Sequence, residues 1–169
     1  MDKSNTNTET EFNIQLSKIG YILTNFSESY FIQISNYVLK ENDDLNAFYC
    51  KPTLTLHKYL LCIAEHMSIE ISTYILAVMY VDKFLATKCP FGIAFNLHKI
   101  YLTALTLACT YNEDKTYKVA DFARIGGIPF KKLKFLLFVF VNSINHNLYV
   151  SKELFYNYQN LIFELLLNK

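Results

Sequence analysis

Hydrophobic positions along the chain recur at three- and four-residue steps almost from the start. Phe12, Leu16, Ile19, Leu23, Phe26, Tyr30, Ile34 and Val38 share one helical face over residues 12 to about 40, with a break in reach between Gly20 and Ser27. Residues 1–11 carry too little apolar surface to offset the entropy of ordering them and are expected to form a disordered tail. The polar run 41–51 reads as a linker that ends at Pro52.

Beyond Pro52 the helical spacing returns. Leu54, Leu56, Tyr59, Leu60 and Ile63 predict a helix ending near His66, and Ser68 is placed to cap the next one with Glu70 in its first turn. That second helix runs to about Ala86. Its apolar positions wrap around more than one side, which predicts heavy burial. After a break at Lys88, Cys89, Pro90 and Gly92, a third helix from about Ala94 to Tyr111 carries small residues that permit close helix approach. Asn112, Glu113 and Asp114 end it. A short helix from about Tyr117 to Arg124 is terminated by Gly126 and Gly127, expected to take the left-handed backbone of a helix end. Pro129 opens a fifth helix over 130–143 that is apolar nearly all round, and so is either central to the core or covered by a partner. Asn145, His146 and Asn147 form a turn. Ser151 caps a last helix whose face is Leu154, Phe155, Tyr158, Leu161, Ile162 and Leu165.

Composition supports this all-α reading. Among 169 residues there are 14 Phe and 13 Tyr but only 4 Gly and 3 Pro, too few turn formers for a sandwich or barrel of many short strands. A chain of this size is one domain and buries roughly 70% of its unfolded surface. The formal net charge of +1 supplies no field for nucleic acid or an anionic membrane, so the expected partner is another protein. The polar N-terminus lacks the apolar region of a signal peptide, and the apolar runs fall short of the roughly 20 residues of a membrane span. Cys50, Cys62, Cys89 and Cys109 have no zinc-like spacing and read as free thiols of a reducing compartment. An intracellular protein of the cytoplasm or nucleus is expected.

Reactive chemistry finds little support. Glu113 and Asp114 sit at a helix end where solvation is the simpler account, and none of His57, His66, His98 and His146 forms a metal-binding set. Nucleophile elbows and phosphate loops are absent. The expectation is therefore no catalytic residue, no metal, no cofactor and no small-molecule substrate. Lys131, Lys132 and Lys134 form a small basic patch, read either as a solvated face or as a contact for acidic groups of a partner.

Five segments in order resemble the cyclin box, in its P/U-type branch. Residues 52–63, PTLTLHKYLLCI, are similar to the family's P-x-I-S-I-x-x-Y-L-x-R-I, and residues 80–83, YVDK, to Y-I-D-R. His98-Lys99 stands where the family has His-Arg, and residues 108–114, ACTYNED, follow A-x-K-x-x-x-D. FARIGGI at 122–128 resembles Y-A-x-V-G-G-I, and KLKFLLFVFV at 132–141 lies opposite E-L-x-x-L-E-x-x-F-L. The resemblance covers about residues 52–150. It implies a five-helix box, preceded by a helical segment over 12–51 and followed by a helix over 151–169, that binds the small lobe of a cyclin-dependent kinase and biases its C-helix toward the active position.

Departures from the pattern matter as much. The family's kinase-binding lysine, its kinase-binding glutamate and the arginine that pairs with the aspartate of Y-I-D-R are replaced by Thr110, Leu137 and Cys62, while Asp82 remains. Stripping one partner from a buried ion pair commonly costs about 3–5 kcal/mol, so their joint absence implies a remodelled surface. Asp82 then needs another donor: Lys83, a backbone amide, or a partly exposed setting. The resemblance puts Thr110, Tyr111, Lys134 and Leu137 near a kinase contact, against the simpler account in which Leu137 packs in the core and Thr110 ends a helix. Asp82, Cys62, Gly126 and Gly127 are expected to be structural. The alternative function is a cyclin-fold scaffold that binds another protein without activating a kinase.

Overall fold

The computed structural model describes residues 11–14, 16, 19–20, 53–88, 93–114 and 117–167. Of the expected disordered tail over 1–11, residues 1–10 lie outside them and Glu11 is helical instead; the linker before Pro52, residues 89–92 of the break around Pro90 and the apolar face from Leu23 to Val38 also lie outside them. Six helices follow one another: α1 (Leu56–His66), α2 (Ile71–Lys88), α3 (Ile93–Asn112), α4 (Val119–Ile125), α5 (Phe130–Ser143) and α6 (Lys152–Leu167). Residues 11–14, 16, 19 and 20 ahead of them are also helical, and no strand occurs among the described residues.

α2 and α3 form the centre. Every residue of α2 from Thr73 to Val81 is buried, and so are Leu97, Lys99 to Thr106, Ala108 and Cys109 of α3. Two polar side chains in that layer are satisfied locally, because the hydroxyls of Thr103 and Thr106 donate to the carbonyls of Lys99 and Leu102 at 2.7 Å each. Tyr101, fully buried, ties the pair together by donating to the Tyr74 carbonyl at 3.1 Å. Around this hairpin α1 contributes Leu56, Leu60 and Ile63, one stripe at helical spacing. Leu16 and Ile19 are both fully buried, and the Phe12 ring meets Tyr74 edge-on at 6.0 Å, so the N-terminal helical residues belong to the core.

The helix ends differ in detail from what the sequence predicts. α1 starts at Thr55, whose hydroxyl accepts from the Lys58 amide. Ser68 does not cap α2. From Met67 to Glu70 the chain is non-helical and alternates buried and exposed residues, with Met67 and Ile69 inward, so the helix begins only at Ile71 and Glu70 stands at its cap. Ser68 and Glu70 instead donate their amides to the Tyr117 hydroxyl and the Glu113 carboxylate, at 2.8 and 3.1 Å. Ser151 does cap α6, accepting from the Leu154 amide at 3.2 Å.

The two glycines after α4 serve different needs. Gly127 alone is left-handed, at φ 67°, whereas Gly126 has φ −72°. Gly126 is required by close approach: a Cβ there would lie 2.3 Å from Leu102 Cδ2 and 2.8 Å from the Phe122 carbonyl oxygen. α5 is two-faced and not buried all round. Leu133, Leu136, Val139, Phe140 and Ser143 face inward, but Phe130, Phe135 and Phe138 are exposed.

A pH dependence follows from His98, at the α1–α3 contact. Its Nε2–H donates to the Leu54 carbonyl at 2.8 Å, its ring lies 5.1 Å from that of Tyr59, and its buried Nδ1 has no hydrogen-bond partner. Burial holds the imidazole below its usual range, outweighing the carbonyls of Leu54 and Thr55 that favour the cation. The folded state thus prefers neutral His98. Its contribution to stability is complete above the ordinary imidazole pKa of about 6.5 and is lost as the pH falls through that value toward the lower folded one. Urea unfolding at pH 7.5 and pH 5 should show this loss in the wild type and a shallower one in His98→Gln; equal slopes would refute it.

Candidate functional site

The residues singled out for a partner contact lie on two packed helices, the last turns of α3 and the middle of α5. α3 emerges from the core at its C-terminal end: Leu107 is half-buried, and Thr110 and Tyr111, one turn later on the same side, are exposed. The Thr110 hydroxyl turns back onto the Thr106 carbonyl at 2.7 Å, repeating the pattern of the buried threonines before it. Tyr111 leaves 60% of its surface open. On α5, Lys134 is exposed with its ammonium 5.6 Å from the centre of the Phe130 ring. Leu137 is half-buried and packs against the core, so it contributes to both the interior and the surface edge.

Sequence spacing alone missed the most exposed apolar side chains of this region. Phe138 is 65% and Phe135 43% exposed, beside the predicted Lys134 and Leu137. Their signal was present in the all-round apolar character of α5, but periodicity could not say which side faced out. Phe130, Phe135 and Phe138 stand exposed on the side of α5 away from the core, interspersed with the exposed Lys131 and Lys134.

Asp82 is half-buried on α2, and its donor is neither Lys83 nor a backbone amide but the hydroxyl of Tyr158 on α6. Lys83 is engaged elsewhere, donating to the carbonyls of Asn147 and Tyr149 at 3.2 and 2.6 Å, and burial holds its ammonium below the usual lysine range. Cys62 is half-buried, and its carbonyl pairs with His66 Nδ1 at 2.7 Å. The hydrogen bond of Asp82 thus comes from the last helix and not from Cys62 of the first. Tyr158→Phe should lower unfolding free energy by about 1–3 kcal/mol, because it leaves a half-buried carboxylate without its hydroxyl donor. Chemical denaturation reads this directly, and an unchanged midpoint would remove Tyr158 from the account of Asp82.

Reactive groups are quiet. The Cys109 thiol is pushed up to about 11, first by burial and then by the Glu113 carboxylate, so it stays protonated at neutral pH. Glu113 accepts the Glu70 amide, and Asp114 is exposed. Among the described residues there is no group of three or more His, Cys, Asp or Glu side chains that could hold a metal ion, and no helix long and apolar enough to cross a membrane.

Comparison with known proteins matches the family described as "Cyclin, N-terminal domain" to residues 22–163. Cyclin-U4-3 of Arabidopsis thaliana is 27% identical over 144 residues, covering 85% of this chain and 64% of that protein. Cyclin-U2-1 of the same plant is 31% identical over 108 residues, 63% of this chain and 49% of that protein. Cyclin-P4-1 of Oryza sativa subsp. japonica is 30% identical over 109 residues, 64% and 51% of the two chains. The chain spans between about half and two thirds of the length of these relatives.

Proposed function

The chain belongs to the cyclin family, with a P/U-type box, and on that premise we propose that it is a regulatory subunit, not itself an enzyme, that binds and activates or positions a cyclin-dependent serine/threonine protein kinase. The observation that carries this reading is the apolar surface of α5 and the end of α3, where Tyr111, Phe135 and Phe138 stand exposed on helices whose other sides are buried. A stable assembly through such a face would bury upwards of about 2,000 Å². Activation would follow if the face binds the active conformation of the kinase more tightly than the inactive one, since a ligand shifts a conformational equilibrium only by its differential affinity. The place of action on this reading is the cytoplasm or nucleus.

Mixing the purified chain with purified cyclin-dependent kinases, and measuring both complex formation and phosphorylation of a model substrate, tests the proposal. A complex with raised activity is the expected result; no complex with any kinase would refute it. The absent charges give a second reading specific support. Thr110 spends its hydroxyl on its own helix and Leu137 is an apolar edge residue, so neither reproduces a lysine or a glutamate. A complex that leaves phosphorylation unchanged would select this scaffold reading over activation.

A further inference from the structure

The last helix is held to the rest of the fold unevenly. Among the described residues α6 packs on α2 and on no other helix. Of its described side chains Ile162 alone is buried, while Phe155 and Tyr158 are half-buried against the core and Leu154, Tyr156 and Leu161 stand exposed. By comparison α5 buries Leu133, Leu136, Val139 and Phe140.

Hydrogen bonds to α2 divide this region in two. The segment between α5 and α6 is clamped at three successive carbonyls: Lys83 donates to those of Asn147 and Tyr149 at 3.2 and 2.6 Å, and Tyr80 to that of Leu148 at 2.9 Å. Beyond Tyr149 the tie is the Tyr158 hydroxyl on Asp82, in the second turn of α6. Between clamp and tie lie Val150 and Ser151, both non-helical and half-buried. The Ser151 hydroxyl caps α6, so the helix begins cleanly at its pivot and can move as one piece.

Elements with few buried apolar contacts open at a lower cost than global unfolding, and residues at the ends of elements absorb the change of direction. We infer that α6 is a strap that swings open about Val150 and Ser151 while the other helices stay folded, with the Tyr158–Asp82 hydrogen bond as its latch. This holds whether or not the chain binds a kinase. Lys152, Phe155 and Tyr156 of α6 form one wall of a groove of about 450 Å³, with Leu76 of α2 and Tyr111 of α3 also lining it. That groove exists only while the strap is shut.

Native-state hydrogen exchange of the full chain, read at rising urea below the unfolding transition, tests this. Amides of Tyr156 to Glu164 in α6 should exchange together, about tenfold or more faster than those of Leu102 to Ala108 in α3. Their rates should also depend more weakly on urea, because opening a strap exposes less surface than unfolding. Tyr158→Phe should speed α6 exchange by about fivefold or more. Lys83→Met loses bonds on the clamped side of the pivot, so it should leave α6 exchange within about twofold of wild type while speeding that of α3. A single rate and a single urea dependence for α6 and α3 would mean that α6 opens only by global unfolding, and overturns the inference. So does α6 exchange that Tyr158→Phe leaves unchanged, or that Lys83→Met raises beyond that margin.

Discussion

Phe140→Ala should destabilise the protein by about 3–5 kcal/mol, the usual cost of removing a buried phenylalanine and leaving a cavity. Phe140 is fully buried in α5, and its ring stacks on that of Phe84 in α2 at 4.5 Å between centres and 8° between planes. That contact joins α5 to α2, and α5 packs against α3 as well. Native domains are stable by only about 5–15 kcal/mol, so the variant loses a large share of its total. At about 2–4 °C per kcal/mol for a chain of this size, its melting temperature should fall by roughly 10 °C. A loss below about 1 kcal/mol, measured by urea unfolding, would show that the site does not pack as described.

Two residues earlier on the same helix the expectation reverses. Phe138 is 65% exposed, and an offset of two positions turns a helical side chain to nearly the opposite face. Phe138→Ala should therefore change stability by no more than about 0.5 kcal/mol. If the outer face of α5 is the kinase contact, it should weaken kinase binding by about 2 kcal/mol or more, roughly thirtyfold, as aromatic anchors at the centre of interfaces do. Unchanged affinity would move the contact away from α5. The pair of variants separates loss of fold from loss of surface on one helix, which Leu137 cannot do because it is half-buried.

Much of the architecture could be read from the chain. The order and approximate bounds of the helices from Leu56 onward, the buried second and third helices, the Ser151 cap and the kinship with the cyclin box all follow from apolar spacing and from motifs of a few residues. Local signals carry that information because a helix is made by residues three and four apart. The errors lay where a local signal competes with a distant one. Ser68 is a good cap in isolation, yet Met67 and Ile69 are buried on either side of it and the chain stays non-helical through Glu70. Gly126 looks like a second left-handed glycine, yet what it accommodates is Leu102, on another helix.

The candidate surface was legible in part. Thr110, Tyr111, Lys134 and Leu137 could be named from the resemblance, but Phe135, Phe138 and Lys152 could not, since no motif marks them. What sets them apart is which side of a helix the core leaves uncovered and which segments meet beside Tyr111.

The sequence by itself determined that this protein is helical, that its box has the cyclin order, and that three of the family's charges are absent. Only the tertiary structure decided which side chains meet across helices. Tyr158 reaches Asp82 across 76 positions of chain, and Lys152 lines a groove with Tyr111 from a different helix. Hydrophobic periodicity is a property of neighbours along one helix and survives in the linear text. A hydrogen bond or a groove between helices depends on how their faces are rotated and packed, and that is set by the whole core at once.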